Sequence, residues 1–166
     1  MLTDVGINQV GELGEQLEAE NFGFILTSSL GRAIQTAEVL SRQLSLEIER
    51  PSANLAERGE GAFQGLTRAQ QIERYPECFD RETGREIPDL IPGVKRTTDF
   101  LARVSVGLQE IGSFAKDMSV LVVTHTGVLQ ALASLIYREN FVEESARRSF
   151  RFCDVLRFDS SQIKTL

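Results

Sequence analysis

Two segments of this 166-residue chain share one layout, an apolar run, then a tight polar turn, then an amphipathic stretch. They are FGFILTSSLGRAIQTAEVL, from Phe22, and SVLVVTHTGVLQALASLIY, from Ser119. In an open α/β sheet, ligands bind beyond the carboxyl ends of the strands, beside the starts of the following helices. Unpaired N–H groups and the helix dipole favour an anion there. Arg32 and His125 both fall in that zone. Arg32 lies in the first turn of its helix, where the dipole opposes a cation, and a bound anion would remove that penalty. Its guanidinium fork suits phosphate oxygens. The bland alternatives are a surface arginine paired with an acidic neighbour and, for His125, a hydrogen-bonded structural group at a strand end. A third candidate is Glu57, in the glycine-rich LAERGEGAFQG. A carboxylate there acts as a general acid if burial raises its pKa. Glu60 competes closely with it, and either reads equally as a solvated loop acid.

The elements that must position these groups follow from periodicity. A helix is predicted from Thr3, as N-cap, to about Glu20, with Val10, Leu13 and Leu17 on one face. Phe22 to Thr27 reads as a buried strand, Leu30 to Leu44 as a helix and Leu46 to Glu49 as a short strand. From Asn54 to Pro92 no strong periodicity emerges, which predicts loops and short helices. A helix follows from Val94 to about Ile111, with Phe100, Leu101, Val104 and Leu108 inward. Ser119 to Thr124 is the strongest strand and Val128 to Tyr137 the strongest helix. The tail, Ser149 to Asp159 and Gln162 to Leu166, reads as two closing strands. Strands alternating with helices predict a three-layer α/β sandwich with a mixed, largely parallel sheet, in one domain over residues 1–166.

Composition narrows the chemistry. The net charge of −6 argues against non-specific nucleic-acid binding, which needs a broad basic footprint. Two distant cysteines and one histidine support neither a disulfide scaffold nor a zinc site. No apolar run is long enough for a membrane span and no leader is recognisable at Met1, so the chain reads as cytoplasmic. No Gly-rich nucleotide-binding fingerprint occurs, which sets aside a different nucleotide-binding α/β protein.

Taken together, the motifs resemble the histidine phosphatase superfamily, which includes the cofactor-dependent phosphoglycerate mutases. LTDVGINQVGELGEQL is similar to that family's first helix, and ILTSSLGRAIQTAEVL to its signature strand–turn–helix. LAERGEGAFQGLT is similar to its acidic loop, VLVVTHTGVLQALAS to its second histidine motif, and CDVLRFDSSQIKTL to its closing strands. The resemblance implies a phosphoglycerate-mutase-like fold and a small phosphorylated substrate or phosphate as ligand. It implies that Arg32 binds the transferred phosphoryl group and that Glu57 gives a proton to the leaving oxygen. His125, aided by the backbone N–H of Thr126, would contact the phosphoryl group and stabilise its developing charge. Neither metal nor cofactor is implied, and the modest length favours a phosphatase over a mutase.

One departure is severe. The family opens with a strand ending in Arg-His-Gly, whose histidine becomes phosphorylated. This sequence starts at the helix that normally follows, and its one histidine belongs to the second motif. The expectation is therefore a chain truncated at its N-terminus relative to the family, inactive as it stands, with two sheet neighbours left unpaired. The alternative is a non-catalytic phosphate-binding pseudoenzyme or interaction module. A milder departure is Pro92-Gly93-Val94-Lys95-Arg96 where many members have PGGES. The arginines of the middle segment, Arg58, Arg68, Arg74, Arg81 and Arg85, would either select an anionic substrate or form a solvated face. Oligomeric state is open, a homo-oligomer included.

Overall fold

The computed structural model describes residues 1–163, with the backbone alone for Glu144 and Ala146. The chain divides into two compact units, residues 1–57 with 103–166, and residues 58–102. In the first unit, helix α1 (Asp4–Leu17) starts at Thr3, whose side chain accepts the Gly6 N–H. Strand β1 (Phe22–Thr27) and helix α2 (Gly31–Leu44) follow. Helix α4 (Thr97–Phe114) leads into strand β2 (Ser119–Val123), helix α5 (Thr126–Tyr137) and the short helix α6 (Phe141–Arg147). The sequence pattern predicts each of these except α6.

β1 and β2 pair in parallel, with Thr27 opposite Val123 and one irregularity between Phe22 and Phe24. The predicted strand at 46–49 is reduced to a single bridge, Ile48 to Ile25, and Ser52 beyond it bridges to Ser28. Side chains alternate across a strand, and that alternation builds three layers. Ile25 and Val123 point to one face, where Val10 of α1 and Ala33, Ala37 and Leu40 of α2 close the core. Phe24 points to the other, edge-on to Phe114 of α4 at 5.1 Å. The expected α/β sandwich is therefore present, on a parallel sheet.

The closing strands are not. From Ser149 to Asp159 the chain forms no strand, and Ser160–Gln162 is a single 3₁₀ turn. The last three residues of the second predicted strand lie outside the described residues. A strand needs a ladder partner, and the obvious one is out of reach. β2 pairs only with β1 among the described residues. A cavity of about 1000 Å³ is lined by β2, by Leu13 and Leu17 of α1 and by Arg151–Ser160. That is the upper end of the range of about 300–1,000 Å³ typical of ligand pockets. SVLVV reads as a strand buried on both faces, yet only its last residue, Val123, is buried.

The second unit has its own small core of Phe63, Cys78, Phe79 and Ile91, with the Phe63 and Phe79 rings stacked at 5.5 Å. Gly61 has φ +52, and a Cβ there would lie 2.3 Å from the Pro92 carbonyl oxygen, so this loop admits only glycine. Two middle-segment arginines are occupied within the unit. Arg58 donates to the Lys95 carbonyl, the Thr97 hydroxyl and the Asp89 carboxylate. Arg68 lies over the Phe79 ring and pairs with Glu86. The Thr97 hydroxyl, with Arg58, holds the Asp89 carboxyl below its ordinary range.

Candidate active site

The two strand–turn–helix units place their polar turns side by side, because β1 and β2 are adjacent, parallel and in register at Thr27 and Val123. β1 is followed by Ser28, which is fully buried, and α2 begins three residues later with Arg32 exposed in its first turn. β2 ends one residue before Thr124, whose hydroxyl donates to the Leu55 carbonyl at 2.8 Å. His125 is then the N-cap of α5 and is 8% exposed.

His125 has a partner on each ring nitrogen. The Arg32 Nε–H donates to Nδ1 at 3.2 Å, and Nε2 lies 2.8 Å from the Ser28 Oγ. A guanidinium has no lone pair to offer, so Nδ1 must be the bare acceptor and Nε2 must carry the proton. Ser28 Oγ also accepts the Leu30 N–H, at 3.2 Å. Burial pushes the His125 pKa down to about 4, helped by the positive charges of Arg32 and Arg103. The ring is neutral at pH 7.

Glu57 reaches the same place from the other side. Its Oε2 accepts the Gly127 N–H at 3.0 Å, at the N-terminus of α5, where the helix dipole favours an anion. A Cβ on Gly127 would lie 2.5 Å from Glu57 Oε1, so the carboxylate in this position uses the space that glycine leaves. Arg103 of α4 donates to the Ala53 and Asn54 carbonyls at 2.9 and 3.0 Å, and its charge is felt at both Glu57 and His125. Thr126 is exposed and supplies the first N–H of α5.

Arg32, Glu57, His125 and Thr126 therefore line one cavity. The same cavity is lined by residues of β2 and α1. Glu60 belongs to the other unit and is exposed. Three contributors are not singled out by the sequence reading: Ser28, Gly127 and Arg103. The SSL turn after an apolar run hints at Ser28. Nothing in the pattern of α4 distinguishes Arg103. Among the described residues no cluster of three His, Cys, Asp or Glu could hold a metal ion, and no helix is long and apolar enough to cross a membrane.

The depressed His125 pKa has a consequence for stability. Between about pH 4 and 6.5 the unfolded chain binds this proton and the folded chain does not. Stability therefore falls as pH drops through that window, by on the order of 3 kcal/mol from this residue alone. Urea unfolding at pH 7 and pH 4.5 should register the loss, and His125→Asn should flatten it. An equal pH slope in both proteins would contradict a buried neutral histidine.

Comparison with known proteins identifies the family and the fold. Residues 1–159 match the family described as the histidine phosphatase superfamily (branch 1). The phosphoglycerate mutase-like protein 4 of Arabidopsis thaliana is 30% identical over 133 residues, which cover 79% of this chain and 58% of that protein. The metal-independent phosphoserine phosphatase of the same plant is 32% identical, over 79% of this chain and 56% of its own length. The chain thus spans a little over half of these curated relatives. Bacillus stearothermophilus YhfR superposes with a TM-score of 0.79 at 27% identity, covering 92% of this chain and 75% of that one. A mycobacterial glucosyl-3-phosphoglycerate phosphatase solved with VO3 gives 0.71 at 25%, over 88% and 73%. With its fold, its two strand–turn–helix units and its match over residues 1–159, this chain belongs to the histidine phosphatase superfamily, branch 1.

Proposed function

We propose that this chain carries the phosphate-holding part of a metal-independent phosphomonoesterase that works through a phosphohistidine. The observation that carries the reading is the Arg32 Nε–His125 Nδ1 contact of 3.2 Å beside Glu57 at the start of α5. Arg32 is exposed and free to turn its fork onto phosphate oxygens. His125 and the Thr126 N–H stabilise charge that develops on the phosphoryl oxygens. Glu57, once it has taken a proton from solvent, delivers it to the leaving oxygen. Relatives named as phosphatases support a phosphorylated small molecule as substrate class.

The phosphoryl-accepting histidine is a different matter. The only histidine in the chain is buried between Arg32 and Ser28, so it is not available as the nucleophile. In our reading the chain by itself binds phosphate without turnover, and a further strand along the free edge of β2 completes the enzyme. The occupied ring nitrogens of His125 equally favour a second reading, a binding module that holds a phosphate and never transfers it.

Thermal unfolding with vanadate or inorganic phosphate tests the shared part of both. At a ligand concentration 100 times Kd the stabilisation is about 2.7 kcal/mol. Arg32→Ala should abolish most of that shift, whereas Arg74→Ala, in the second unit, should leave it intact. Equal shifts in all three proteins would remove Arg32 from the site.

A further inference from the structure

We propose that Ser28, His125 and Arg32 form a tautomer switch thrown by the bound phosphate, with Ser28 the positioning residue that lets the ring change over. The inference rests on the phosphate reading above and adds how the histidine meets the anion.

Access decides which nitrogen faces the ligand. Ser28 is fully buried, His125 is 8% exposed, and Arg32 is exposed. An anion therefore approaches from the Arg32 side, toward Nδ1. In the contact seen here that nitrogen is bare, because it accepts from the Arg32 Nε–H. Once Arg32 turns to the anion, the Nδ1 lone pair would point at a phosphate oxygen, acceptor against acceptor. Two remedies exist: the ring gains a second proton, or its one proton moves from Nε2 to Nδ1.

Ser28 makes the second remedy feasible. A hydroxyl both donates and accepts. While Arg32 donates to Nδ1, Nε2–H donates to Ser28 Oγ at 2.8 Å. With phosphate bound, the Ser28 O–H rotates to donate to a bare Nε2, and Nδ1–H donates to the phosphate. The Leu30 N–H to Ser28 Oγ bond persists in both states, so the oxygen stays in place while only its proton turns. One proton leaves Nε2 to solvent and one arrives at Nδ1, so the protein's proton count does not change. Burial is the main reason the ring resists charge, ahead of Arg32 and Arg103. Neutralising both guanidiniums with an anion leaves that main obstacle standing, which favours the tautomer change over an imidazolium.

The chain's one histidine makes the experiment unambiguous. In protein labelled with ¹⁵N-histidine at pH 7, the two ring nitrogens report which of them carries the proton. Without ligand, Nε2 should be protonated and Nδ1 bare. At saturating inorganic phosphate the two should exchange identities, with no net proton uptake by calorimetry in buffers of different ionisation enthalpy. Ser28→Ala should weaken phosphate binding roughly tenfold, since Nε2 then lacks a partner that can donate. Ser28→Thr should restore both the exchange and most of the affinity. If Ser28→Ala fails to fold, the wild-type titration still decides. Phosphate that stabilises the fold while Nδ1 stays bare, or while both nitrogens become protonated, overturns the switch and leaves the phosphate site standing. Phosphate that changes neither stability nor the ring overturns both.

Discussion

Joined ahead of Met1, through a short loop, to an apolar strand ending in Arg-His-Gly, the chain should gain metal-independent hydrolysis of p-nitrophenyl phosphate. The strand would be about six residues long, the usual length in sheets. Among the described residues β2 pairs only with β1, so its other edge can take a parallel neighbour, and the cavity is lined with apolar side chains from α1 and β2. Parallel addition sends the carboxyl end of the new strand toward Thr124 and His125, where Arg32 waits. A control strand ending in Arg-Gln-Gly separates packing from chemistry. Both additions should raise the melting temperature, because both fill the cavity and satisfy the edge. Only the histidine version should turn over, and loss of a nucleophile costs on the order of 10⁶-fold in a well-characterised covalent enzyme. His125→Ala in the active version should then reduce turnover sharply. A stabilised but idle histidine version would mean that the site lacks more than a nucleophile.

How much of this was legible beforehand follows from what each element depends on. α1, α2, α4 and α5 announce themselves because each carries its own apolar stripe, and β1 and β2 because apolar runs are bounded by polar turns. Arg32 and His125 were visible for the same reason: both stand where a strand hands over to a helix, and the parallel register then brings them together. The tail reads as strand in the sequence but forms none from Ser149 to Asp159, because a strand is not a local property. CDVLRFD has the composition of one, but with the cavity between Arg151–Ser160 and β2 it has nothing to pair with. Ile48 shows the same dependence on a smaller scale, since a single bridge to Ile25 is all that forms. Gly127 and Arg103 were invisible for another reason. Their importance lies in contacts with Glu57 and its loop, 70 and about 50 residues away in sequence, which no periodicity encodes.

Gly127→Ala tests that contact with a change of sign. In an unencumbered helix, alanine in place of glycine stabilises by about 1 kcal/mol. Here the new Cβ would lie 2.5 Å from Glu57 Oε1 and 3.2 Å from its Cδ, so the carboxylate must shift from its present place. Its hydrogen bond from the Gly127 N–H goes with it, and a bond to a charged acceptor is worth about 1.5–3 kcal/mol. The balance predicts a net loss of about 1 kcal/mol in the otherwise unaltered protein. In a Glu57→Ala background the clash and the bond are both absent, so the same substitution should stabilise. A double-mutant cycle by urea unfolding should thus give opposite signs in the two backgrounds. In the strand-completed protein Gly127→Ala should also slow turnover by about 10²–10⁴-fold, the range assigned to a positioned proton donor. Stabilisation by phosphate should survive, because Arg32 and His125 are untouched. Gly127→Ala stabilising both backgrounds alike would place the Glu57 carboxylate somewhere other than the head of α5, and would leave the leaving oxygen without its proton donor.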